Sequence, residues 1–143
     1  MRTESGLTYE IIDGGDQAIV ACTCWTEATP VIHNLDTHWL RRLAQEQRLV
    51  ITNRRGFAGS SGRADLDSEV LGLSEVVDEV GAPAVLLGGC EAAVVPIALA
   101  ARHPERVRAL IVVNGTARFA ADEDYAGTPA EGLWSLTDIV GVD

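Results

Sequence analysis

Residues 82–87 read APAVLL, pass through Gly88 and Gly89 to Cys90, and continue at once into EAAVVPIALAARHP. An apolar strand that runs without a spacer into a helix-forming stretch must turn sharply, and Cys90 stands at the apex of that turn. Such a junction demands small residues two positions before and after the apex, because the flanking backbones nearly touch. Gly88 and Ala92 meet this demand. The unbroken apolar character of the strand is that of a parallel strand covered on both faces. The helix N-terminus then points at the thiol, and its amides and positive dipole end favour a thiolate and any oxyanion formed beside it.

The rest of the chain alternates strands and helices, which predicts an α/β fold: three layers, with a mostly parallel sheet flanked by helices. Residues 7–12 and 18–22 read as strands joined by a turn at Asp13, Gly14, Gly15 and Asp16, and residues 49–52 as a further short strand. Residues 109–113 are uniformly apolar, so this strand is expected to be buried on both faces. A helix over 35–47 would place Trp39, Leu40 and Leu43 on one face, with Asn34 or Asp36 as N-cap. A second, over 66–80, carries a stripe of Leu66, Val70, Leu73, Val77 and Val80 opposite Asp67, Glu75, Asp78 and Glu79, and Gly81 caps it. Pro96 falls inside the helix after the turn, where it would remove a hydrogen bond to the Ala92 carbonyl and kink the axis. HPER at 103–106 reads as a helix stop. One domain over 1–143 is expected, with its core at about 6–119 and an acidic, small-residue segment from 120 whose residues 133–140 suggest a short helix.

Charge narrows the range of partners. With 11 basic and 21 acidic residues, the formal charge of −10 argues against nucleic acid or an anionic membrane. No stretch approaches the roughly 18 apolar residues of a membrane span, and MRTESG lacks a signal pattern, so a cytoplasmic location is expected. Cys22, Cys24 and Cys90 lack CxxC spacing, so reduced thiols are expected rather than a disulfide scaffold. GGCEAA faintly echoes a dinucleotide-binding turn, but Cys90 occupies the position of the second required glycine. No cofactor and no metal are expected.

Three segments together resemble one family. The stretch 86–104 is similar to the nucleophile elbow of α/β-hydrolases, with Cys90 where most members carry serine. ITNRRGFAGSSGR at 51–63 resembles the loop after the family's fourth strand, where an RGxGxS pattern is usual and Arg55, Gly56, Gly59 and Ser60 answer to it. RHPERVRALIVVNGTARF at 102–119 resembles the segment leading into its sixth strand. The likeness is greatest to hydrolase-like domains found alone or fused to bacterial adenylate cyclases and transcriptional regulators. It spans nearly the whole chain and implies a truncated α/β-hydrolase fold, the family's N-terminal half.

The resemblance also implies a chemistry, an ester or acyl hydrolase acting on a small ester-like molecule with Cys90 at the nucleophile position. Free cysteine after a buried strand is often mere packing, but the small residues that flank Cys90 at the apex favour the nucleophile position. The family's triad runs nucleophile, acid, histidine, and no histidine follows His103, so the chain is expected to be incomplete as a catalyst. His103 lies about twelve helical residues past the turn, roughly 18 Å away at ~1.5 Å per residue. His38 belongs on a helix surface. His33 is the candidate base, since the family's third strand neighbours the nucleophile strand and its following loop opens on the same face. The oxyanion hole would use the backbone amides of Glu91 and Cys24, with Thr23 standing where the family commonly carries glycine. Trp25 reads either as a pocket wall or as a core aromatic. Arg54 and Arg55 read as residues that hold neighbouring loops together. A sheet that stops at the sixth strand would expose an apolar edge, to be covered by self-association or a complementing chain. A non-catalytic module that binds a ligand or partner, or an inactive fragment, is the alternative.

Overall fold

The computed structural model describes residues 1–12, 15–23 and 39–115. In chain order these form β1 (Thr8–Ile12), β2 (Ala18–Cys22), α1 (Trp39–Leu43), β3 (Arg48–Asn53), α2 (Leu66–Val80), β4 (Ala84–Gly89), α3 (Val94–Arg102) and β5 (Val107–Val113). One sheet contains all five strands in the order β1-β3-β2-β4-β5. β1 runs antiparallel to β3, and every other pair is parallel. The strands expected around the turn at 13–16 therefore do not pair with each other, because β3 inserts between them. Asp13 and Gly14, the caps expected at Asn34 and Asp36, and the segment 116–143 lie outside the described residues.

Strand alternation explains the three layers. Along β2, Val20 and Cys22 join a cluster with Val70, Leu73, Val76 and Val77 of α2 and with Val95 and Leu99 of α3. Ile19 and Ala21 point the other way, to Leu40 of α1 and Ala44. Successive side chains of a strand face opposite sides, so a central strand with helices on both sides must be apolar at every position.

The helices follow their expected periods with three corrections. α1 ends at Leu43, short of the expected 47; its buried residue is Leu40, Ala44 is buried in the turn just beyond it, and Trp39 falls off that face with 42% of its surface exposed. In α2 the stripe holds at Val70, Leu73 and Val77, whereas Leu66 at the first turn is exposed. Glu69 is buried there instead, because its carboxylate accepts the backbone N–H of Arg55 at 3.0 Å. Asp65 caps α2 by accepting from the Ser68 N–H at 2.8 Å, and Gly81 follows at φ 96. Pro96 breaks nothing: it is the third residue of α3, within the first turn, where a backbone N–H has no partner inside the helix. His103 ends the helix, and Pro104–Arg106 form a short 3₁₀ turn into β5.

β5 departs from expectation. Leu110, Ile111, Val112 and Val113 are 36–42% exposed, not buried on both faces. Among the described residues β5 pairs with β4 alone, and none of them pairs with its outer edge.

Candidate active site

Parallel strands deliver their carboxyl ends to one edge of the sheet, and the reactive residues collect there. The register places Cys22 of β2 beside Gly88 of β4, and Gly89 beside Val113 of β5. Beyond these ends come Thr23, Arg54, Cys90 and Asn114. β2 is thus the direct neighbour of β4, the strand that leads to Cys90, while the loop expected to carry the base lies outside the described residues. His33, His38, Cys24 and Trp25 themselves lie outside the described residues.

Cys90 occupies the apex. It opens a 3₁₀ turn, Cys90–Ala93, that passes directly into α3. Its φ is 48, a left-handed conformation that non-glycine residues rarely adopt and that costs about 1–3 kcal/mol. The thiol is exposed. Packing beneath the turn enforces the strain. A Cβ on Gly88 would lie 2.7 Å from Ala93 Cα and 2.8 Å from Pro96 Cγ. Gly115, just past β5, approaches equally closely: a Cβ there would collide with the Ala93 Cβ and lie 3.2 Å from the Cys90 carbonyl oxygen. Glycine at both positions lets β4, the turn and the segment after β5 nest together. Ala92, the small residue on the far side, is buried.

Cys22 offers a contrast. Its thiol is buried, and Thr52 Oγ1 donates to the Ala21 carbonyl at 3.1 Å and lies 3.5 Å from the Cys22 sulfur. Desolvation pushes this thiol up to about 12, so it stays protonated and unreactive at neutral pH.

The loop after β3 supports the site from the side. Arg55 is 3% exposed, and its guanidinium donates to the backbone carbonyls of Ser5, Ser61 and Ser68 and to Ser5 Oγ. This makes it the hub that ties the N-terminal segment, the loop and α2 together. Ser60, also buried, donates to the Asn53 carbonyl at 2.6 Å and accepts from Thr8 N–H at 2.8 Å. Arg55 thus plays the structural part expected of it, and Ser60 plays one as well. Arg54 differs: its Nη1 lies 3.3 Å from Oε1 of Glu91, the residue after Cys90. Sequence reasoning missed this pair. The signal for it is two opposite charges, each one position past the tip of the sheet or its apex, on loops that share one edge.

His103 is not near this edge. It sits at the far end of α3 with Nδ1 3.5 Å from Glu105 Oε1. A shallow hollow lined by Asp16, Gln17, Val80, Pro83 and Arg108 lies at the opposite, N-terminal end of the strands and contains no nucleophile. No group of three or more metal-ligating side chains occurs among the described residues. No described helix is long and apolar enough to cross a membrane.

No family model matches the chain. A pimeloyl-[acyl-carrier protein] methyl ester esterase of Neisseria meningitidis is 44% identical over 50 residues, which is 35% of this chain and 19% of that enzyme. Among solved structures, an alpha/beta hydrolase from Sphaerobacter thermophilus superposes on 99% of this chain and 53% of its own, with a TM-score of 0.67 and 19% identity. A structure from work on carboxylesterases of the thaumarchaeon Nitrososphaera gargenis covers 100% and 53%, with a TM-score of 0.70 and 17% identity. The chain spans about half the length of these solved proteins. The sheet order, the strained turn after β4 and these superpositions agree: the chain has the α/β-hydrolase fold.

Proposed function

We propose that the chain carries the nucleophile half of an ester- or acyl-hydrolysing site, with Cys90 as nucleophile. One observation supports this most: a non-glycine residue held at φ 48 on a turn packed around Gly88, its thiol exposed at the carboxyl edge of a parallel sheet. In the reaction, the Cys90 sulfur forms a bond to the ester carbonyl carbon as the thiol proton passes to a base. The carbonyl oxygen becomes an oxyanion beside the Glu91 amide, with the Cys24 amide as second donor. Collapse expels the alcohol, which takes up the proton, and water then cleaves the thioester and restores the thiol. His33 supplies the base, or a second polypeptide does.

The test is hydrolysis of a p-nitrophenyl ester by the parent, Cys90→Ala and His33→Ala. Loss of turnover in both variants supports the assignment. Equal rates in all three remove it. A second reading, a non-catalytic module that binds a partner chain, draws on the exposed apolar β5. It predicts no turnover by the parent together with association through that edge.

A further inference from the structure

β4 and β5 end in the same way. Gly89 pairs with Val113, so Cys90 and Asn114 take the next matching positions, and both are left-handed, at φ 48 and 52. Asn114 turns the chain so that Gly115 comes to lie beside the Cys90–Ala93 turn. We infer that Gly115 is a positioning residue of the candidate active site: by lacking a side chain it lets the Cys90 carbonyl hold the direction that aims the Glu91 N–H, the first oxyanion donor. This deepens the reading of Cys90 as a nucleophile and rests on it.

Gly115 itself is not left-handed, so what requires glycine there is space and not backbone freedom. Gly81 is the opposite case, with φ 96 and nothing within 4 Å of an added Cβ. Three neighbours take up the space at Gly115. A Cβ there would collide with the Ala93 Cβ, stand 2.7 Å from Val112 Cγ1 and stand 3.2 Å from the Cys90 carbonyl oxygen. Cys90 and Ala93 are the first and last residues of the 3₁₀ turn, so a side chain at 115 would press on both of its ends at once. The Cys90 carbonyl and the Glu91 N–H belong to one planar trans peptide unit, in which oxygen and hydrogen lie on opposite sides. Pressure on the oxygen therefore re-aims the hydrogen. An oxyanion donor works by being aimed before the charge develops, so its direction matters more than its presence in the turn.

The experiment compares the parent with Gly115→Ala, with Gly115→Ala plus Ala93→Gly, and with Gly72→Ala as a control for destabilisation alone. Gly72 lies in α2, where a Cβ would stand 2.9 Å from Leu7 Cβ in the N-terminal segment. Nitrogen-15 NMR of the folded chain follows the backbone amides. Gly115→Ala should move the Glu91 amide resonance, and Gly72→Ala should leave it in place. Adding Ala93→Gly to Gly115→Ala should return it part of the way, because the contacts with Val112 and the Cys90 oxygen remain. In p-nitrophenyl ester hydrolysis Gly115→Ala should lower kcat by about tenfold to a hundredfold, the loss from a misdirected donor, with KM within about twofold. A Glu91 resonance that moves no further in Gly115→Ala than in Gly72→Ala overturns the inference, and so does an equal fall in kcat in those two variants. If Gly115→Ala does not fold, Ala93→Gly alone decides: loss of the Cβ that faces Gly115 loosens the turn, so hydrogen exchange of the Glu91 amide should quicken about tenfold relative to Leu73, and equal exchange overturns the inference. A parent without ester turnover whose Glu91 resonance still moves in Gly115→Ala would overturn the catalytic reading of Cys90 and uphold Gly115 as the residue that lets this amide keep its aim.

Discussion

Replacing Gly88 with alanine probes the elbow at its tightest point. The added Cβ would stand 2.7 Å from Ala93 Cα and 2.8 Å from Pro96 Cγ, and 3.1 Å from Ala93 Cβ. A backbone carbon and a proline ring have no alternative rotamer that clears the contact, so β4 and the Cys90–Ala93 turn must separate. Overpacking of this kind costs about 1–3 kcal/mol, and two contacts under 3 Å put Gly88→Ala near the top of that range. At about 3–4 °C per kcal/mol for a chain of this size, the melting midpoint should fall by about 8–12 °C. Urea denaturation should show a lower midpoint with an unchanged slope, since the exposed area on unfolding is the same. Pro96→Ala in the same background removes the ring contact but not the Ala93 Cα, so it should recover less than half of the loss. The turn should also open locally, which changes the alkylation rate of Cys90 more than that of Cys22. A Gly88→Ala variant as stable as its parent would refute the close-packed elbow, and with it the argument that packing imposes the conformation of Cys90.

Further outcomes follow from other parts of the fold. Arg55→Met should cost about 3 kcal/mol in urea denaturation, because the carbonyls of Ser5, Ser61 and Ser68 lose their charged donor inside the protein. Burial, reinforced by the hydrogen bond to Glu79 and its charge, pushes the Tyr9 phenol up to about 12. An unfolded tyrosine ionises near about 10, so the neutral phenol stabilises the fold fully below that pH, and the contribution is lost as pH rises through about 12. Thermal melts between those values should show a steeper decline for the parent than for Tyr9→Phe. Charged substitutions at the open edge, Leu110→Lys with Val112→Lys, should shift sedimentation toward monomer. A parent that is monomeric at every concentration would show that the edge drives no association.

Much of the scaffold was legible from periodicity. β2 and α2 fall where alternation and the three-four stripe place them, since those patterns follow directly from burying one or two faces. The elbow was legible for a different reason: only small residues fit where two backbones converge, so Gly88 and Ala92 mark it in the sequence. What periodicity could not settle was partnership between distant elements. An apolar strand reads the same in the centre of a sheet or at its edge, which is why β5 was expected to be covered. Trp39 and Leu66 are apolar residues at helix ends, where a few tens of degrees of helical phase decide between core and solvent. Buried Glu69 and the Arg54–Glu91 pair depend on contacts across 14 and 37 residues of sequence, and no local pattern encodes them.

The adjacent arginines at the end of β3 divide two kinds of responsibility between neighbouring positions. Arg55 is enclosed, and both of its terminal nitrogens donate to backbone carbonyls, so the fold tolerates little change there. Arg54 is more open and reaches across to Glu91 on the neighbouring turn, so position 54 can change charge, polarity or size while Arg55 keeps its loop anchored. Selection can therefore retune what this edge of the sheet attracts by drift at position 54, without first finding compensating mutations in the core.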